Sequence, residues 1–96
     1  MTVHVVAEFP MSETGAQDMM QWAASDDGFA VTRQHKGFQE IRQFLAEDNK
    51  TIILTQKWDS KADHQAYLQS RVESGLLDWL GPRLDGEFKV TYLSEV

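Results

Sequence analysis

The chain has 96 residues, with 9 Lys and Arg against 15 Asp and Glu for a formal charge of -6, and no cysteine. That length bounds it to one small domain, and an acidic balance without a basic run excludes the cationic footprint that a nucleic acid needs and disfavours an anionic membrane surface. The missing thiols exclude disulfides, thiolate nucleophiles, iron–sulfur clusters and cysteine-based zinc sites, and they suit a reducing compartment.

The opening run Met1-Thr2-Val3-His4-Val5-Val6-Ala7-Glu8 has no positive n-region and no long apolar core. Neither a secretory signal nor a membrane span is expected, and the expected location is the cytoplasm. Thr2 to Phe9 alternates, with Val3, Val5, Ala7 and Phe9 on one side and His4, Val6 and Glu8 on the other, which predicts a strand ended by Pro10. Ser12 and Thr14 are both N-cap candidates, and Thr14 with Gln17 has capping-box spacing. The helix that follows carries Ala16, Met19, Met20 and Ala23 on one stripe, with Trp22 off it, and closes at Asp26-Asp27-Gly28.

Phe29 to Lys36 shows neither period and reads as an irregular connection with room for one helical turn. From Gly37 the period becomes two, placing Phe38, Glu40, Arg42 and Phe44 on one face of a second strand and Gln39, Ile41, Gln43 and Leu45 on the other. Glu47-Asp48-Asn49-Lys50 supplies a turn, and the Asn49-Lys50-Thr51 sequon within it reads as that turn and not as a glycosylation site. Thr51 to Trp58 is the third strand, with Ile52, Leu54, Gln56 and Trp58 opposite Ile53, Thr55 and Lys57; the two strands should pair as an antiparallel hairpin.

Ser60-Lys61-Ala62-Asp63 has the form that starts helices, and His64, Tyr67, Leu68, Arg71, Val72 and Gly75 form a stripe on the helix it opens. Leu76, Leu77, Leu80 and Leu84 continue at helical spacing into a short helix stopped or kinked by Gly81-Pro82. Glu87 to Leu93 is the fourth strand, with Phe88, Val90 and Tyr92 facing one way. The order predicts one domain, 1–96, of α+β class: a ferredoxin-like split βαβ unit whose helices cover one face of an antiparallel sheet. Apolar residues fall on both faces of the strands, Val6, Ile53, Ile41 and Leu45 among them. A sheet of this kind needs a second cover, and a domain this small buries only about 60–68% of its unfolded surface, so sheet-to-sheet packing into a homodimer is expected.

The run Gln56-Lys57-Trp58-Asp59-Ser60-Lys61-Ala62-Asp63-His64-Gln65-Ala66-Tyr67-Leu68 resembles the strand-to-helix signature of the antibiotic biosynthesis monooxygenase family. There a Trp ends the third strand, a polar turn follows, and an aromatic sits on the next helix. Gly37-Phe38 is similar to the family's Gly before its second strand, and the element order agrees over essentially the whole chain. The resemblance implies a dimeric α+β barrel of two ferredoxin-like units, each with a pocket between sheet and helices. Members resembling it include cofactor-free oxygenases of polycyclic phenols, quinol oxygenases, haem-degrading enzymes and proteins without a known activity, so fold does not settle chemistry. The haem-degrading branch has a Trp on the second helix and a later His, where this chain has Tyr67 and Leu77.

His64, Tyr67 and Arg71 share one helical face. In a cofactor-free oxygenase the substrate anion itself gives the electron to O₂, and the protein removes a proton and holds the anion. His64, with an ordinary pKa of about 6.5, is the candidate base, Tyr67 the candidate hydrogen-bond donor to the substrate oxygen, and Arg71 the candidate anion stabiliser. The alternative is that Tyr67 and Leu68 pack the helix on the sheet while His64 and Arg71 lie at its solvated edge. Trp58 and Trp79 are candidate walls for a flat ligand, with ordinary packing as the alternative for each.

His4, His35 and His64 lack metal-ligand spacing, so no metal is expected. No glycine-rich nucleotide motif or Gly-x-Ser-x-Gly elbow occurs, and no organic cofactor is expected. The function expected is therefore a cofactor-independent monooxygenase of an aromatic phenol or quinol, with a non-catalytic small-ligand-binding or stress-related module as the alternative. A pocket lined by Trp58, Tyr67 and Trp79 with a polar group inside favours the first, and a filled interior with His64 in solvent favours the second.

Overall fold

The computed structural model describes residues 2–96. In chain order the elements are β1 (Val3–Pro10), α1 (Glu13–Ala24), α2 (Phe29–Thr32), β2 (Phe38–Leu45), β3 (Thr51–Trp58), α3 (Lys61–Glu73), α4 (Leu76–Leu80), a 3₁₀ turn (Gly81–Arg83) and β4 (Lys89–Leu93). The strands form one antiparallel sheet in the order β2-β3-β1-β4, the ferredoxin-like topology that the element order predicts.

The local signals explain most boundaries. Ser12, not Thr14, caps α1, its hydroxyl accepting from the Gly15 N–H at 3.0 Å; the Thr14–Gln17 pair therefore lies inside the first turn and makes no capping box. Ser60 caps α3 by accepting from the Asp63 N–H at 3.1 Å. In the hairpin, Asp48 Oδ1 accepts from the N–H groups of Lys50 and Thr51 at 2.8 and 2.9 Å, with Asn49 at φ 61. Those backbone bonds, Thr51 first, hold the Asp48 carboxyl below its usual pKa.

The period-two reading of β1 and β3 holds residue by residue: Val5, Ala7, Ile52, Leu54, Gln56 and Trp58 are buried beneath the helices. The reading of β2 holds except at its start. A bulge between Phe38 and Glu40 aligns Phe38 with Trp58 but Glu40 with Lys57. Phe38 is thereby turned to the covered face, onto Trp58 at 5.5 Å between ring centroids, instead of sharing the open face with Glu40, Arg42 and Phe44. Ile41 and Leu45 belong to the covered face as well, because they align with Gln56 and Ile52. The open face keeps Val6, Ile53 and Thr91, all half-buried, with Phe44 and Leu93 exposed at opposite edges.

Two glycines give opposite expectations for added methyl groups. Gly37, at φ +85, precedes the bulge, and a Cβ there would stand 2.6 Å from Asp63 Cβ; Gly81, at φ -49, has nothing within 4 Å. Gly37→Ala is expected to lose about 1–3 kcal/mol in urea unfolding from left-handed strain and this clash. Gly81→Ala is expected to be neutral or to gain up to about 1 kcal/mol, and equal effects at the two sites would contradict the backbone geometry described.

Candidate functional site

Sheet and helices do not close on each other completely, and the gap is a cavity of about 150 Å³. Ala7, Leu54, Gln56 and Val90 form its floor on the sheet, and Trp22, His64, Tyr67, Leu76 and Trp79 its helical walls. Three lining side chains, Val72, Leu77 and Phe88, are also exposed, so its mouth is an apolar rim between the end of α3, α4 and the approach to β4. The polar residues of the lining are Gln56, His64, Tyr67 and Arg71.

The helical spacing that sets His64, Tyr67 and Arg71 on one face turns all three inward. His64 and Arg71 are 1% and 8% exposed, so the solvated-edge alternative is wrong for both. His64 Nδ1 lies 2.8 Å from the Tyr92 hydroxyl, and Nε2 is buried with no partner in the protein. Burial lowers the imidazole pKa to about 4, so the ring is neutral at ordinary pH. Burial also raises the pKa of Tyr92, which stays a neutral hydroxyl.

Arg71 reaches across the helix layer. Its Nη1 and Nη2 donate to the carbonyls of Asp27 and Gly28 at 3.0 and 2.8 Å, Nη2 also to Thr32 Oγ1 at 3.1 Å, and Nε to the Tyr67 hydroxyl at 2.9 Å. The Thr32 hydroxyl lies 2.8 Å from the same Tyr67 oxygen. The guanidinium sits 5.0 and 5.3 Å from the ring centroids of Trp22 and Tyr67, and no carboxylate among the described residues pairs with it. The Tyr67 oxygen is thus held by a cation and a hydroxyl.

Of the residues singled out in the sequence, His64, Tyr67, Arg71 and Trp79 meet at the cavity. Trp58 lies behind the wall: fully buried, it packs tilted on Tyr67 at 5.2 Å and edge-on to His64 at 5.4 Å, and donates Nε1–H to Gln56 Oε1 at 2.9 Å. Trp79 leans on Trp22 at 5.8 Å with Arg83 over its other side at 4.1 Å. His4 points to the open face, 3.3 Å from Glu95, and His35 stands edge-on to Tyr67 at 5.4 Å. Sequence reasoning missed Gln56, Thr32 and Tyr92. Gln56 and Tyr92 carried a signal, as polar groups on the apolar phase of their strands; Thr32, in the segment without a period, carried none.

Among the described residues no three His, Asp or Glu side chains gather as a metal set, and no helix is long and apolar enough to cross a membrane.

No family model matches the chain, and no curated protein does. Solved structures match over almost its whole length. A conserved protein from Methanosarcina mazei Go1 superposes with a TM-score of 0.83 at 14% identity, covering 99% of this chain and 93% of its own. The monooxygenase from the gene ActVA-Orf6 of Streptomyces coelicolor, in complex with nanaomycin D, gives 0.80 at 17% identity over 98% and 87%. A structure named antibiotic biosynthesis monooxygenase gives 0.82 at 12% over 98% of both chains. The chain has the fold of these monooxygenases, as the resemblance carried by Gln56–Leu68 implies.

The buried neutral imidazole sets a pH dependence. Unfolded, it titrates near about 6.5; folded, it stays neutral down to about 4. Between these values the unfolded chain binds a proton that the folded chain does not, so this contribution to stability is full above 6.5 and falls away as pH drops towards 4. The urea midpoints of wild type and His64→Gln should therefore converge from pH 7 to pH 4.5, the wild type losing more. Parallel curves would show that His64 is not held neutral by burial.

Proposed function

We propose that the cavity binds a single-ring phenol or hydroquinone and that the chain is a cofactor-independent monooxygenase acting on it. The observation that carries this reading is a buried imidazole nitrogen, His64 Nε2, without a protein partner, on a side chain that lines an apolar cavity beside a fixed tyrosine hydroxyl. An unpaired buried polar atom costs about 1–3 kcal/mol, and a ligand hydroxyl there removes that cost. The volume selects the ligand: cavities near 150 Å³ accept about one benzene ring, whereas polycyclic ligands need pockets several times larger. The monooxygenase named among the structural neighbours supports the reaction class.

His64 Nε2 takes the hydroxyl proton, and Tyr67 holds the resulting oxyanion. Arg71, its donors committed to backbone carbonyls, Thr32 and Tyr67, acts on that anion through the Tyr67 oxygen. The electron-rich ring passes an electron to O₂, and the two radicals join as a peroxide on a ring carbon. Loss of water breaks the O–O bond. For hydroquinone the sum is C₆H₆O₂ + O₂ → C₆H₄O₃ + H₂O, in which the ring supplies all four electrons and no external reductant enters. Trp58 fixes the shared wall of His64 and Tyr67, and Trp79 and Trp22 line the wall against which the ligand ring packs.

The half-buried open face of the sheet supports a homodimer packed sheet to sheet. Val6 and Ile53 lie on the two central strands, and Glu40 is already paired with Arg42 and Lys57 at 3.2 and 3.7 Å, so the charges there are partly neutralised before two copies meet. A chain without cysteine fits the cytoplasm.

Oxygen uptake with hydroquinones, and no added metal or flavin, should be saturable and should fall about 10²–10⁴-fold in His64→Ala. Uptake no faster than the spontaneous rate, with phenol still binding, would instead favour the non-catalytic binding module. Sedimentation should give a dimer at micromolar concentration, with Val6→Glu shifting it to monomer; a folded wild-type monomer would contradict sheet-to-sheet pairing.

A further inference from the structure

We infer that Tyr92 is the outer half of a proton relay that connects the apolar cavity to solvent through the His64 ring. The inference rests on the proposed role of His64 as base. The two nitrogens of this ring face different partners: Nε2 has none in the protein, while Nδ1 lies 2.8 Å from a tyrosine hydroxyl on the edge strand β4. Tyr92 itself is half-buried and lies under the ammonium of exposed Lys61, 4.8 Å from its ring centroid. The imidazole thus stands between an apolar interior and a hydroxyl at the surface layer.

A tyrosine hydroxyl both donates and accepts, so it can bond to either neutral tautomer of histidine. At rest, Nδ1–H donates to the Tyr92 oxygen and Nε2 carries a lone pair. When the ligand hydroxyl gives its proton to Nε2, the Nδ1 proton passes to the Tyr92 oxygen, and the original Tyr92 proton leaves to a solvent base. The ring as a whole and the Tyr92 oxygen each gain one proton and lose one, so the ring ends neutral as the other tautomer, with Tyr92 now donating to Nδ1. Run in reverse, the same chain delivers a proton inward to the oxygen that leaves as water. The need for a relay follows from burial: an imidazolium in this cavity has no carboxylate beside it, so the proton cannot rest on the ring.

The resting tautomer that the relay requires, with Nδ1–H donating to the Tyr92 oxygen, gives a test independent of turnover. In ¹⁵N-histidine-labelled protein without ligand, the His64 signals should show a protonated Nδ1 and a bare Nε2. In Tyr92→Phe, which removes only the hydroxyl, they should switch to the Nε2–H form that free histidine prefers. In hydroquinone oxidation Tyr92→Phe should lower kcat at least about 10-fold, within the range of general acid–base effects, with KM changed less than about twofold. A wild-type ring carrying Nε2–H at rest, an unchanged tautomer in Tyr92→Phe, or an unchanged kcat would each overturn the relay. Because the tautomer is read without substrate, failure of the oxygenase reading and failure of the relay are separate results.

Discussion

Arg71 is the tie on which the helix layer depends. It extends from α3 to the carbonyls of Asp27 and Gly28, at the turn between α1 and α2, and together with the Thr32–Tyr67 bond it joins the two halves of the layer. Burying a guanidinium without a carboxylate costs several kcal/mol, and the offset here comes from four hydrogen bonds of about 1.5–3 kcal/mol each and from the faces of Trp22 and Tyr67. The tie also sets geometry. It fixes Gly28, where a Cβ would be driven into Ala23 and Trp22 backbone atoms, and it fixes the Tyr67 oxygen.

The cavity follows from that arrangement. With α1 placed by Ala16, Met19 and Ala23, and α3 by Tyr67 on Trp58, the space between them is spanned by a cation and two indoles tilted 32° to each other. A void of this kind is costly unless filled, since its lining loses contact partners. An orphaned imidazole nitrogen adds to the cost. Both penalties disappear if a small aromatic with a hydroxyl occupies the site, which is the physical reason for treating the cavity as a binding site and not as a packing defect.

Much of this was legible in the sequence, for reasons that can be stated residue by residue. Alternation in β1 and β3 and the inward stripe of His64, Tyr67 and Arg71 are local periodicities, and local periodicity survives folding. Phe38 was misplaced because one inserted residue at a bulge reverses the phase of everything before it, and no residue type marks that insertion. Ser12 becomes the cap in place of Thr14 where its own N–H is anchored on the distant Arg83 carbonyl at 3.0 Å. The partners of Arg71 lie 39 to 44 residues away, and Tyr92 lies 28 residues from His64, so their bonds depend on how α3 seats between β4 and the α1–α2 turn. Backbone carbonyls, moreover, leave no mark in a sequence.

What occupies the cavity decides between a binding site and a packing defect. A crystal of the protein soaked anaerobically with hydroquinone, so that oxygen cannot consume the ligand, tests this directly. The account predicts one ring between Trp79 and Leu54 with a hydroxyl within hydrogen-bond distance of His64 Nε2 and the other ring atoms in apolar contact. A cavity that stays empty, or hydroquinone bound outside the Val72–Leu77–Phe88 rim while His64 Nε2 remains unpaired, would contradict it.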